Sequence, residues 1–142
     1  MRAYSRSYLF GGDSDPKRIR SELSAAFPGV MVQTVSSKSA TNGFFIQMLA
    51  AQTLRAERSG CLLAKKPEID FLLRLAGTNQ ISEAISRVGS KAGDPFVLVL
   101  ASLHPLKGRK QVAGGVSLSV QPLSESELAR VELGALLNAH RA

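Results

Sequence analysis

The sequence predicts a single α/β (α+β) domain over residues 1–142, with a mixed central β-sheet packed by helices. Three observations predict it. Continuously apolar or β-branched runs alternate with segments of helical periodicity along the whole chain. No internal repeat, low-complexity stretch or long linker divides the 142 residues, a length that suits one domain with a real core. Finally, Lys107 to Gly114 reads as a hairpin connection, so at least one strand pair is expected to be antiparallel.

Residues 2–10 place Tyr4, Tyr8, Leu9 and Phe10 among small polar residues and read as a first strand, turned by Gly11-Gly12-Asp13. Asp15-Pro16 predicts a helix start. The carboxylate accepts from a free first-turn N–H, and the missing proline N–H costs nothing there. Ile19, Leu23 and Phe27 form its apolar stripe, with Lys17, Arg18 and Arg20 off it; Pro28-Gly29 ends it. Val30, Val32 and Val35 mark a β-branched second strand. Thr41 or Asn42 then caps a helix running to about Arg58. Its opening residues Phe44, Phe45, Ile46, Met48 and Leu49 are apolar on too many sides for a surface helix. That helix is either sandwiched in the core or meets another protein. Ser59-Gly60 closes it, and residues 62–70 follow as an apolar start, a basic loop and a proline.

Phe71 to Gly89, FLLRLAGTNQISEAISRVG, reads as a buried strand, a tight polar turn and an amphipathic helix. Phe71, Leu72, Leu73 and Leu75 give the nearly continuous apolar run of a strand covered on both faces. Gly77 breaks it. Thr78 or Asn79 can cap the helix, Ile81, Ala84, Ile85 and Val88 share one helical face, and Gly89 supplies the stop. Arg74 interrupts the apolar run, either as an edge residue with its stem packed and its head in water, or as part of a binding site. Phe96 to Leu103 is a second buried strand. Val116, Leu118 and Val120 alternate with Ser117 and Ser119 as a half-exposed one. Pro122 opens the final helix region, Ser124 to about Ala139, with Leu128, Val131, Ala135 and Leu136 as its apolar face.

No apolar run reaches the ~20 residues of a membrane span. The opening MRAYSRSYLFGG lacks the apolar core of a signal peptide, so the expected location is cytoplasmic and no membrane partner is expected. The net charge is +7, and residues 121–142 are slightly acidic, so the remainder carries the positive excess. Such an excess favours a polyanionic partner, because neutralising phosphates releases condensed counterions.

Catalytic chemistry is not apparent. Single Cys61 forms neither an internal disulfide nor a zinc site by itself, and reads as a buried thiol. No histidine pair has metal spacing, no phosphate-binding glycine loop is present, and no cofactor is implied. Glu68 and Asp70 read as balancing Lys65 and Lys66, and Glu83 as a first-turn carboxylate favoured by the helix dipole. The basic features are more suggestive. Lys65, Lys66 and Arg74 could converge on the turn at Gly77 to Ile81, where a helix start presents free N–H groups suited to a phosphate. The amides of Asn79 and Gln80 could pair with base edges, and Ile81 could pack on a base face, as in recognition of single-stranded RNA. None of the eight aromatic residues lies in this turn, so stacking on aromatic rings is not expected there.

The run LLRLAGTNQISEAISRVG resembles the corresponding stretch of the small KEOPS-complex subunits typified by the PRPK-binding protein (TPRKB), which have archaeal counterparts. The shared features are the apolar run, the small-residue turn ending in a polar pair, and the ISEAI-type helix start followed by a basic turn and glycine. Chain length, element order and the closing LGALLNAHRA also fit. The resemblance implies a non-catalytic subunit that docks on the PRPK-type small atypical kinase, with other KEOPS subunits as indirect partners. It also implies binding of the single-stranded 3′ CCA end of tRNA in support of threonylcarbamoyladenosine modification. Matching RNA-binding positions are Lys65, Arg74, Asn79, Gln80 and Ile81, with Lys66 and Asn138 added. Asn79 stands where Asn or Arg fits the pattern, and a neutral amide there removes one possible phosphate contact. For the kinase, the expected docking residues are Phe44, Phe45, Met48, Ile81, Ile85 and Val88. Two other classes compete: a pure protein-interaction regulator of the kinase without RNA binding, and a small ligand-binding or enzymatic α/β domain with a deep pocket.

Overall fold

A computed structural model describes residues 3–106, 112 and 114–141. In chain order the elements are β1 (Tyr4–Phe10), α1 (Pro16–Ala26), β2 (Met31–Ser36), α2 (Gly43–Ser59), α3 (Pro67–Ala76), α4 (Ile81–Val88), β3 (Phe96–Ser102), β4 (Val116–Ser117) and α5 (Glu125–Arg141). The four strands form one sheet in the order β2-β3-β1-β4. The α/β (α+β) class expected from sequence is the one observed.

β3 is the hinge of the architecture. Its sequence FVLVLAS is buried along its entire length because both of its faces are covered. Val97, Val99 and Ala101 point into a core shared with α2, α3 and α4. Phe96, Leu98 and Leu100 point the other way, toward Tyr8, Phe10, Val32 and Ile19 of α1. The period-2 alternation of a strand makes this division obligatory. Phe10 and Phe96 stack with ring centroids 5.1 Å apart. The result is three layers, α1 against one face and the α2–α3–α4 group against the other, with α5 packed outside on α2 and α3.

The sheet differs from the mixed one expected. All described pairings, β1 with β3, β2 with β3 and β1 with β4, are antiparallel. The parallel neighbours that a β1–α1–β2 unit would provide are separated, because β3 inserts between them. The expected hairpin connection at Lys107 to Gly114 lies mostly outside the described residues.

The larger correction concerns 67–76. The apolar run at Phe71 is helix α3, not a strand. Pro67 sits in its first turn, Glu68 and Asp70 follow where the dipole favours carboxylates, and Asp70 and Arg74 pair at i,i+4. Gly77 closes the helix at φ +71, a left-handed conformation costly for other residues, and its N–H donates to the Leu73 carbonyl at 2.9 Å. The run has no visible period because every residue from Asp70 to Ala76 is buried. A helix enclosed on all sides and a doubly covered strand give the same apolar string.

Capping followed the expected chemistry at two helices. Asp15 accepts from the Lys17 N–H and Asn42 from the Phe44 N–H. At α4 the cap position is Gln80, not Thr78 or Asn79, and its side chain makes no cap bond. α5 starts with a reciprocal pair, Ser124 N–H to Glu127 Oε1 and Glu127 N–H to Ser124 Oγ. Its inward face is also rotated from the expected one. Val131 and Gly134 are buried, whereas Leu128 and Leu136 are 45% and 58% exposed. Gly134 accounts for the rotation: a Cβ there would collide with the end of the Gln52 side chain, which bonds the Val131 carbonyl, so glycine lets α5 lie against α2 without displacing it.

A candidate nucleic-acid interface

The site begins at the end of α3. Gly77 turns the chain, and Thr78, Asn79 and Gln80 lead into α4. Thr78 organises this turn: its hydroxyl accepts the Gln80 N–H at 3.2 Å and donates to Glu83 Oε2 at 3.0 Å. Glu83 also pairs with Arg87 one turn further on. Gly77, Asn79, Gln80 and Ile81 are all exposed. Among the described residues neither the Asn79 nor the Gln80 amide has a hydrogen-bond partner. α4 therefore opens with no side-chain cap, its first N–H groups beside two unengaged amides.

Beside the turn lies a groove of about 480 Å³ between the end of α3 and α5, lined by Gly77, Thr78, Asn79, Arg130, Leu133 and Leu63 among others. Arg130 was not anticipated. It lies in the slightly acidic final segment, yet its side chain rests over Gly77, whose added Cβ would meet Nε at 3.4 Å. Among the described residues Arg130 makes no ion pair. Nothing in the local sequence distinguishes it from a solvated helix arginine. Only the packing of α5 beside α3 brings it to the turn.

The remaining expected RNA contacts do not gather at one point. Lys65 and Lys66 are exposed, but Lys66 caps the start of α3 while Gly77 caps its end. Ten helical residues separate the two by about 15 Å. Arg74 is not at the surface: it is 4% exposed, and its guanidinium is engaged internally. Its Nε donates to Asp70 Oδ1 at 2.6 Å, one terminal nitrogen to the Gly134 carbonyl at 3.3 Å, and the other to Asn138 Oδ1 at 2.9 Å. Asp70 also accepts from the Thr53 hydroxyl and the Leu63 N–H. Asn138 passes the connection on, donating to the Gln52 carbonyl. Arg74 and Asn138 thus tie α2, α3 and α5 together behind the groove. Asp70, expected to balance Lys65 and Lys66, balances Arg74 instead. Asp70 and Glu68 have a further effect: together with burial, the leading cause, their charges hold the Glu57 carboxyl above its ordinary pKa.

The expected docking residues divide in the same way. Phe45 and Val88 are core residues, 1% and 5% exposed, and offer no surface. Phe44 and Met48 are half-buried in a groove between α2 and α5, which Ala135 also lines. Ile81 and Ile85 are each 48% exposed, side by side on the outer face of α4. Cys61 is buried. Among the described residues no group of three or more His, Cys, Asp or Glu could hold a metal ion, and no helix is long and apolar enough to cross a membrane.

A comparison with known proteins bears on this arrangement. The chain is similar to KEOPS complex subunit Cgi121 of Pyrococcus abyssi (strain GE5 / Orsay). The two are 30% identical over 102 residues, which is 72% of this chain and 58% of the relative. The chain thus spans little more than half of that protein's length. No family model matches.

Proposed function

We propose that the chain is a non-catalytic KEOPS complex subunit that binds the PRPK-type kinase and the single-stranded 3′ CCA end of tRNA, supporting threonylcarbamoyladenosine modification in the cytoplasm. The observation that carries the RNA part is the turn at Gly77 to Ile81. It exposes two unengaged amides at an uncapped helix start, with Arg130 lying over its glycine, in a chain similar to Cgi121. Amides suit the edges of unpaired bases, the first-turn N–H groups and Arg130 suit phosphate, and Ile81 offers an apolar surface to a base. Glu83 does not oppose an anion fully, because Thr78 and Arg87 already engage it. Arg74 and Asn138 act by position in this reading, fixing α5 and hence Arg130 against the turn. Lys65 and Lys66 meet the RNA backbone separately, at the other end of α3.

The kinase would dock on the exposed apolar pair Ile81 and Ile85, or on Phe44 and Met48. Co-purification with the kinase subunit, with and without tRNA, tests membership: Ile85→Glu is expected to abolish capture if α4 is the docking face, and undiminished capture rules that face out. A gel shift tests the lysines. Each phosphate contact to a single strand contributes about 0.7 to the slope of log affinity against log salt. The Lys65→Ala, Lys66→Ala double variant should therefore bind tRNA more weakly and flatten that slope by about 1.4. An unchanged slope removes both lysines from the interface. Kinase capture without measurable tRNA affinity would favour the pure interaction regulator.

A further inference from the structure

The groove beside the turn does not end at Arg130. Arg130 also lines a second groove of about 590 Å³, between the start of α2, the end of α4 and residues 121–127. Its cations are Lys38, Arg87 and Arg130. Lys38, Ser39 and Arg87 in turn line a third groove of about 200 Å³, to which Lys91 is added. One cationic path therefore runs from Asn79 past Arg130 and between Lys38 and Arg87 to Lys91, using four basic residues from four different segments.

The carboxylates along this path are few and largely occupied. Glu127 accepts from the Ser124 N–H and the Asn42 amide. Glu83 is held by Thr78 and Arg87, and Asp94 lies at the far end. Among the described residues Lys38, Lys91 and Arg130 form no ion pair. Between the cations stand the hydroxyl residues Ser36, Ser37 and Ser39, with no exposed aromatic ring. Cations and hydroxyls without stacking platforms suit phosphate oxygens, which position a strand without reading its sequence.

We propose that this trough carries the phosphate backbone of the nucleotides that precede an RNA 3′ end seated at the Asn79 turn. The proposal rests on the reading of that turn given above. An acidic protein segment is the rival occupant. RNA is favoured because the trough is continuous, through Arg130, with the amide-bearing turn.

Two single-stranded RNAs ending in CCA, one of about four nucleotides and one of about twelve, bracket the path within the span that single-strand binders commonly cover. Binding is measured by fluorescence anisotropy across a salt series, with the fold of each variant checked by circular dichroism. The wild-type chain should bind the longer RNA more tightly. The double variant Lys38→Ala, Lys91→Ala, which leaves the Arg87–Glu83 pair beside the turn in place, should abolish that advantage and lower the salt slope for the longer RNA by about 1.4. Binding of the shorter RNA should stay unchanged. A length advantage that survives the double variant overturns the trough while leaving the turn intact. Failure of either RNA to bind the wild type overturns the turn reading and the trough with it. Equal affinity for both RNAs, with an acidic peptide bound through Lys38 and Lys91, also overturns the proposal and assigns the trough to protein.

Discussion

Replacing Arg74 by Met should destabilise the fold by about 3–5 kcal/mol, the usual cost of removing one partner from a buried ion pair. The side chains of Arg74 and Asp70 are both fully inaccessible, and the guanidinium bonds Asp70 through two of its nitrogens. Its loss leaves a carboxylate buried with only the Thr53 hydroxyl and the Leu63 N–H, removes the second bond of the Gly134 carbonyl, and takes away the Arg74 donor of Asn138 Oδ1. Methionine keeps most of the volume, so the effect reads the polar network and not a cavity. The double variant Asp70→Leu, Arg74→Met should recover part of the loss, because it removes the uncompensated charge. Recovery should be incomplete, since Thr53, Leu63 and Asn138 still lack their partner. Urea unfolding monitored by circular dichroism provides the measurement. Wild-type stability for Arg74→Met would mean that the arginine is not engaged internally.

The double variant Asn79→Ala, Gln80→Ala should lower tRNA affinity by about ten- to a hundredfold and leave thermal stability unchanged. Neither amide has a partner within the described protein, so folding loses nothing when they go. In a complex each would form a base-edge hydrogen bond with a net worth of about 0.5–1.5 kcal/mol, so losing both costs about 1–3 kcal/mol. Because base-edge contacts are largely insensitive to screening, the salt slope should not change, in contrast to the lysine and trough variants. Isothermal titration at two salt concentrations separates these behaviours. Unaltered affinity would exclude the two amides from RNA recognition.

Much of the fold could be read along the chain because its signals were local. Asp15-Pro16, Asn42 and Gly60 marked helix ends through chemistry confined to a few residues. β3 declared itself by its length of apolar β-branched sequence. α3 did not, because burial on every side erased its period. The clues that could have identified it lay at its edges: Pro67, two first-turn carboxylates and the i,i+4 spacing of Asp70 and Arg74. That same spacing could have shown that the odd arginine already had a partner. The face of α5 differs from the expected one because its leucines are the stronger apolar signal in sequence and Gly134 the weaker. The closest approach to α2 falls at Gly134, and Leu128 and Leu136 turn outward.

The candidate site was only half legible. The polar turn at Gly77 to Ile81 stood out as a string of hydrogen-bonding groups between two apolar segments, and the structure leaves it exposed. What sequence could not supply was convergence. Lys65 and Lys66 are near the turn in the chain but a helix length away in space. Arg130, about fifty residues downstream, lies directly on it. Lys38, Arg87 and Lys91 join the same surface only because β2, α4 and the approach to β3 meet there.

The most direct measurement compares the binding of one tRNA with that of the same tRNA lacking its 3′ CCA. If the Asn79 turn holds the single-stranded end, truncation should cost most of the affinity for the wild-type chain and less for the Asn79→Ala, Gln80→Ala variant, whose base-edge contacts are already gone. Equal binding of the intact and truncated tRNA by the wild-type chain would contradict the account.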